Sequence, residues 1–199
     1  SNYPANSIRQ IPGAFEKTPH TIAGKTVTLD QIENTVLAEF DDARVYIALG
    51  RGAVGSGRLR SEAFSTKAVN RQLDDARKQF VTTPPWTKVD ALNGKVSISP
   101  ILSWRSKEFI EEFADDSFDL PKREPVELGV IGFLRPHLLD AEVEFIKKNT
   151  FQLTYETFDW KVYPSPHFDV HYYGQEEIFL EEVVSYAESA YLKNKKALD

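Results

Sequence analysis

Four glycines within eight residues, Gly50, Gly52, Gly55 and Gly57, follow directly on the apolar run Val45-Tyr-Ile-Ala-Leu49. Glycine in a helix interior costs about 1 kcal/mol relative to alanine, and it weakens strands for the same entropic reason. A regular element therefore stops on entering this stretch, and the chain has to be built from short elements joined by a tight loop. Four arginines, Arg44, Arg51, Arg58 and Arg60, surround that loop.

Glycine-rich loops have two common uses. One is to turn backbone N–H groups toward an anion, and guanidinium forks beside such a nest suit carboxylate or phosphate. On that reading Arg44, Arg51, Gly52, Gly55, Ser56, Gly57, Arg58 and Arg60 form an anion site, with a small anion as ligand. The other use is a structural crossing, with the arginines paired to Asp41, Asp42 and Glu62. Gly50-x-Gly52-x-x-Gly55 matches the dinucleotide fingerprint literally, but Gly57 falls where the first helical turn should form. No strand ending in an acidic residue follows at the expected distance. A Walker loop is excluded too, because Arg58 is followed by Leu59 rather than a lysine by Ser or Thr. Ser56 as a nucleophile would need a base, and Gly55-Ser56-Gly57 is not the Gly-x-Ser-x-Gly elbow.

The rest of the chain reads as α+β, a mixed domain of short strands and amphipathic helices with a C-terminal strand-helix appendage. Thr28-x-x-Gln31 is a capping box, followed by Leu29, Ile32, Val36, Leu37 and Phe40 on one helical face. Val45 to Leu49 has the nearly all-apolar character of a short buried strand. Val69, Leu73, Ala76 and Phe80 mark a helix stopped by Thr82-Thr-Pro-Pro85. Val96 and Ile98 alternate with Ser97 and Ser99 as a strand ended by Pro100. Phe109, Ile110 and Phe113 give another helix, residues 126–135 a short apolar one, and Ala141 to Lys148 a further one. Phe151, Leu153 and Tyr155 then alternate as a strand.

Pro164-Ser-Pro166 divides a domain of residues 1–163 from a tail of residues 164–199. His167 to Tyr173 alternates as a strand, and Phe179, Leu180, Val183, Val184, Ala187, Ala190 and Tyr191 form the stripe of a long helix. On one strand His167, Asp169 and His171 share a face and could hold a divalent metal; equally, they are the wet face of a half-buried strand. No fourth ligand is evident.

Several segments together resemble the domain of unknown function 547 family over residues 1 to about 163. They are Tyr3 to Arg9, Ile22 to Glu33, Asp42 to Leu49 leading into Gly52-Ala53, Gln72-Leu-Asp74, Val96 to Trp104, and Tyr155 to Trp160. The resemblance implies a fold and no reaction. It also makes departures visible: Asn34 and Tyr46 stand where the family often has histidines, and Gly55 to Arg58 where it often has Ser-Cys-Pro-Pro. The chain has no cysteine, so thiol catalysis is excluded. The tail is similar to the strand-helix lead-in of some bacterial zinc-peptidase-like domains, without their zinc-binding His-Glu-x-x-His helix.

A formal charge of −6 argues against nucleic acid as partner. No run approaches a membrane span. With no methionine, Ser1 is not a start as written, and the expectation is an exported bacterial protein whose leader has been removed, extracytoplasmic in location. The resulting expectation for function is an accessory or scaffold protein that acts by association in a larger assembly, without catalytic residues or cofactor. The alternative is a hydrolase-like or anion-binding protein using the loop at 50–60.

Overall fold

The computed structural model describes residues 11–50, 55–156 and 160–198. The architecture is α+β, and the chain divides into two compact units, Ser1–Glu156 and Thr157–Asp199.

The first unit opens with a hairpin of β1 (His20–Ile22) and β2 (Lys25–Val27). Its two-residue turn, Ala23-Gly24, has both φ angles positive (49° and 76°), the twist that tight hairpins need. Next comes α1 (Leu29–Gln31) with the capping box formed: the Gln31 N–H donates to Thr28 Oγ1 at 3.1 Å, and the Thr28 N–H to Gln31 Oε1 at 2.9 Å. The helix does not continue regularly. Ile32–Val36 is π-helical, closed by the Leu37 N–H on the Ile32 carbonyl, and Ala38–Phe40 is a 3₁₀ turn. Each change of pitch rotates the side chains that follow, so the expected single stripe is broken and Val36 and Phe40 turn outward.

The apolar run expected as a strand is instead the helix α2 (Arg44–Ala48), with Tyr46 and Ile47 buried. Five apolar residues suit either element, and two carboxylates decide between them. Asp42 accepts the Arg44 N–H at 3.0 Å, and Glu112 accepts the Ala43 N–H. A helix start leaves these N–H groups without intrahelical partners, and negative charge there also suits the helix dipole.

Further along lie α3 (Val69–Thr82), β3 (Thr87–Asp90), β4 (Lys95–Ile98), α4 (Ile101–Trp104), α5 (Ser106–Phe113), α6 (Pro125–Leu134), α7 (Asp140–Lys147) and β5 (Gln152–Tyr155). The sheet order is β3-β4-β5, antiparallel on one side of β4 and parallel on the other. Val96, Ser97 and Ile98 are all buried, so β4 is covered on both faces, and the Ser97 and Thr154 hydroxyls pair at 3.2 Å across the parallel ladder. Phe133 is the hub of the core. Its ring meets those of Phe109, Phe113 and Phe80 edge-on, at centroid distances of 5.0, 5.4 and 6.0 Å, and Phe80 stacks on Trp86. Burying each such ring contributes about 1.5–3 kcal/mol.

The second unit is a hairpin of β6 (Trp160–Pro164) and β7 (Asp169–Tyr173), a 3₁₀ segment Gly174–Phe179, and α8 (Leu180–Leu198). Glu188 of α8 ties the hairpin loop down. It accepts from Ser165 Oγ at 2.6 Å and from the His167 N–H at 2.9 Å, and it meets His167 Nδ1 at 2.6 Å. These bonds, the Ser165 hydroxyl first, hold the Glu188 carboxyl below its ordinary value. The His167 ring stacks on Tyr191 at 4.0 Å.

Candidate functional site

The candidate site is built around Arg105, at the junction of α4 and α5. Its Nη2 donates to Glu33 Oε1 at 2.7 Å and to Asn34 Oδ1 at 2.6 Å. Its guanidinium carbon lies 4.4 Å from the centroid of the Tyr46 ring, and Nη1 stands 3.6 Å from Glu108. The π-helical segment supplies Glu33 and Asn34, and α2 supplies the buried Tyr46. One cation thus binds together the two positions at which the family resemblance places histidines.

A cavity of about 460 Å³ adjoins this cluster and shares Tyr46 and Glu108 with it. Asp41, Asp42, Glu111 and Glu112 line the cavity against a single Lys107. Burial pushes the Glu112 carboxyl above its ordinary value, although the Ala43 N–H bond opposes the shift. A raised folded-state pKa means the native state holds the proton more tightly than the unfolded chain. That contribution is present at low pH and is lost as pH rises through the folded value. Glu112→Gln keeps an acceptor for Ala43 and removes the charge. It is expected to raise the melting temperature at neutral pH, with the gain shrinking toward zero in acid; a pH series of thermal melts of both proteins checks this.

Two arginines of the proposed anion site, Arg44 and Arg60, are engaged internally. Arg44 forms a two-pronged pair with Asp42, Nε at 2.9 Å and Nη2 at 2.8 Å, and this bond holds the guanidinium above its ordinary pKa. Arg60 bonds Glu62 at 2.8 Å and the Gln72 carbonyl at 3.3 Å. The buried Gln72 side chain donates to Glu62 at 3.1 Å and to the Ala63 carbonyl at 3.0 Å, and it accepts the Ser65 N–H, fastening the chain after the loop onto α3. Arg58 is exposed. Arg51 and Gly52 lie outside the described residues.

Gly55 accepts a hydrogen bond from the Ser99 hydroxyl, and Ser56 is 5% exposed. A Cβ on Gly57 would collide with the Ile47 carbonyl oxygen, so that glycine permits a close crossing over α2.

The metal reading required His167, Asp169 and His171 on one strand. The strand begins at Asp169, and His167 sits in the hairpin loop with its ring against Glu188 and Tyr191. The side chain of His171 lies outside those described. Among the described residues there is no group of three His, Asp or Glu side chains arranged to hold a metal ion.

Glu33, Asn34, Tyr46 and Arg105 form one cluster, of which only Asn34 and Tyr46 carried a signal in the sequence. Arg105 follows a strand, a proline and a short helical turn, and no local pattern sets it apart from a surface arginine.

The molecule is thus an α+β protein with a fixed guanidinium cluster beside an acidic cavity. Residues 4–81 match the family described as Protein of unknown function, DUF547. The match ends in the last turns of α3 and includes Asn34, Tyr46 and Ser56. No curated protein and no solved structure matches the chain. Among the described residues no helix is long and apolar enough to cross a membrane.

Proposed function

We propose that this chain is a non-catalytic accessory domain that works by association with other polypeptides. The observation that carries this reading is the Arg105 cluster. Where the resemblance places two titratable imidazoles, Asn34 and Tyr46 are bound to a guanidinium that stays protonated at any physiological pH and so exchanges no proton. A general base has to take up and release a proton near the working pH, and neither an amide nor a guanidinium does so. The buried Ser56 in the family's cysteine stretch supports the same reading, since a nucleophile must reach its substrate.

The test has two readouts. Across a panel of ester, amide and phosphoester substrates, turnover by the wild type should equal that of Ser56→Ala and Arg105→Ala. Native mass spectrometry on protein purified from its own source should show a second polypeptide at fixed stoichiometry. Turnover lost in Ser56→Ala, or the absence of any partner polypeptide, would overturn the proposal.

A further inference from the structure

The apolar stripe of α8 is divided between two faces. Leu180 is buried and Val184, Ala187 and Glu188 are partly so, while Tyr191 stacks on His167 of the hairpin. The other half is exposed, Val183 at 50%, Tyr186 at 70% and Ala190 with them, and Phe179, the last residue of the preceding 3₁₀ segment, is 57% exposed. Within α8, positions 183, 186, 190 and 193 are spaced three, four and three, the spacing of a paired-helix seam.

The charges along the helix say what fits this seam. Glu181 and Glu182 occupy the first turn, while Lys193 and Lys195 lie near the other end. A parallel copy would set like charges together. An antiparallel copy centred on Glu188 sets Tyr186 against Ala190 of the second copy and Val183 against its Lys193. The lysine stem then covers the valine while its ammonium reaches the neighbouring Glu182. A two-fold axis makes each of these contacts twice, as a closed dimer requires.

We infer that the exposed face of α8 pairs antiparallel with the same face of a second copy of this chain. The inference goes beyond the proposed function and does not depend on it, since nothing in the Arg105 cluster takes part.

Sedimentation velocity of the full chain over a concentration series tests it. The wild type should pass from monomer to dimer as concentration rises, with the dimer weakened by salt. Tyr186→Glu, at an exposed position, should be monomeric throughout with unchanged helical circular dichroism. Glu182→Lys and Lys193→Glu should each weaken the dimer by about tenfold, on the order of 1.4 kcal/mol, and the two reversals in one chain should restore it. A wild type monomeric at every concentration, with the face covered from within its own chain, would overturn the inference. So would a dimer that Tyr186→Glu leaves intact, or one for which the double reversal restores nothing.

Discussion

Arg77→Met is expected to lower the stability of the N-terminal unit by about 2–4 kcal/mol, read as a reduced urea midpoint with an unchanged slope. Arg77 is only 8% exposed, and its pKa is depressed by burial. It donates from Nε to the Phe133 carbonyl at 2.8 Å and from Nη2 to the Gly132 carbonyl at 3.0 Å. These carbonyls lie in the last turn of α6, where a helix has no further N–H groups of its own to offer. The guanidinium also lies over the rings of Phe113 and Phe133, at 4.6 and 4.9 Å. Methionine fills the volume but leaves both carbonyls without their charged donor. Arg77→Lys should recover only part of the loss, because an ammonium is a point charge and cannot span two carbonyls as the planar fork does. Equal stability of the arginine and methionine proteins would show that the carbonyls find other partners.

Gly132→Ala should cost at least about 3 kcal/mol, the upper end for an overpacked core. A Cβ at this position would strike the Phe113 carbonyl oxygen, and one at Gly129 would lie 2.8 Å from the Phe109 carbonyl oxygen. Both obstacles are backbone, so no rotamer change relieves them. The two helices would have to separate, opening the ring contacts among Phe109, Phe113 and Phe133. Loss of near-ultraviolet circular dichroism with retained far-ultraviolet signal would report that separation. A variant as stable as the wild type would show that α5 and α6 can slide apart without loss.

Local pattern carried much of the fold. The Thr28 capping box, the helix over Val69–Thr82 and the strand at Lys95–Ile98 are all set by neighbours within a few residues. The readings that failed depend on distant partners. Val45 to Leu49 became a helix partly because Glu112 of α5 caps it. The stripe from Leu29 to Phe40 broke because a π turn changed the phase, which residue spacing does not announce. The Ala23-Gly24 hairpin had a local signal, a glycine closing a two-residue turn, that hydropathy passes over. Of the site, Asn34 and Tyr46 stood out as departures from a family pattern. Arg105 reaches Glu33 across 72 positions and Arg77 reaches Phe133 across 56, so sequence spacing carries no trace of either contact.

The family match and the hydrophobic core divide the chain at different places. The match stops at residue 81, inside α3. Ala43, Ile47, Phe80 and Val81 share their buried cluster with residues that all come later, from Trp86 and the three-stranded sheet to Phe133, Ile146 and Phe151. The similarity covers less than half of a chain whose buried cluster is drawn mainly from the residues beyond it. A polypeptide cut where the similarity ends would leave those four side chains without most of the cluster that buries them.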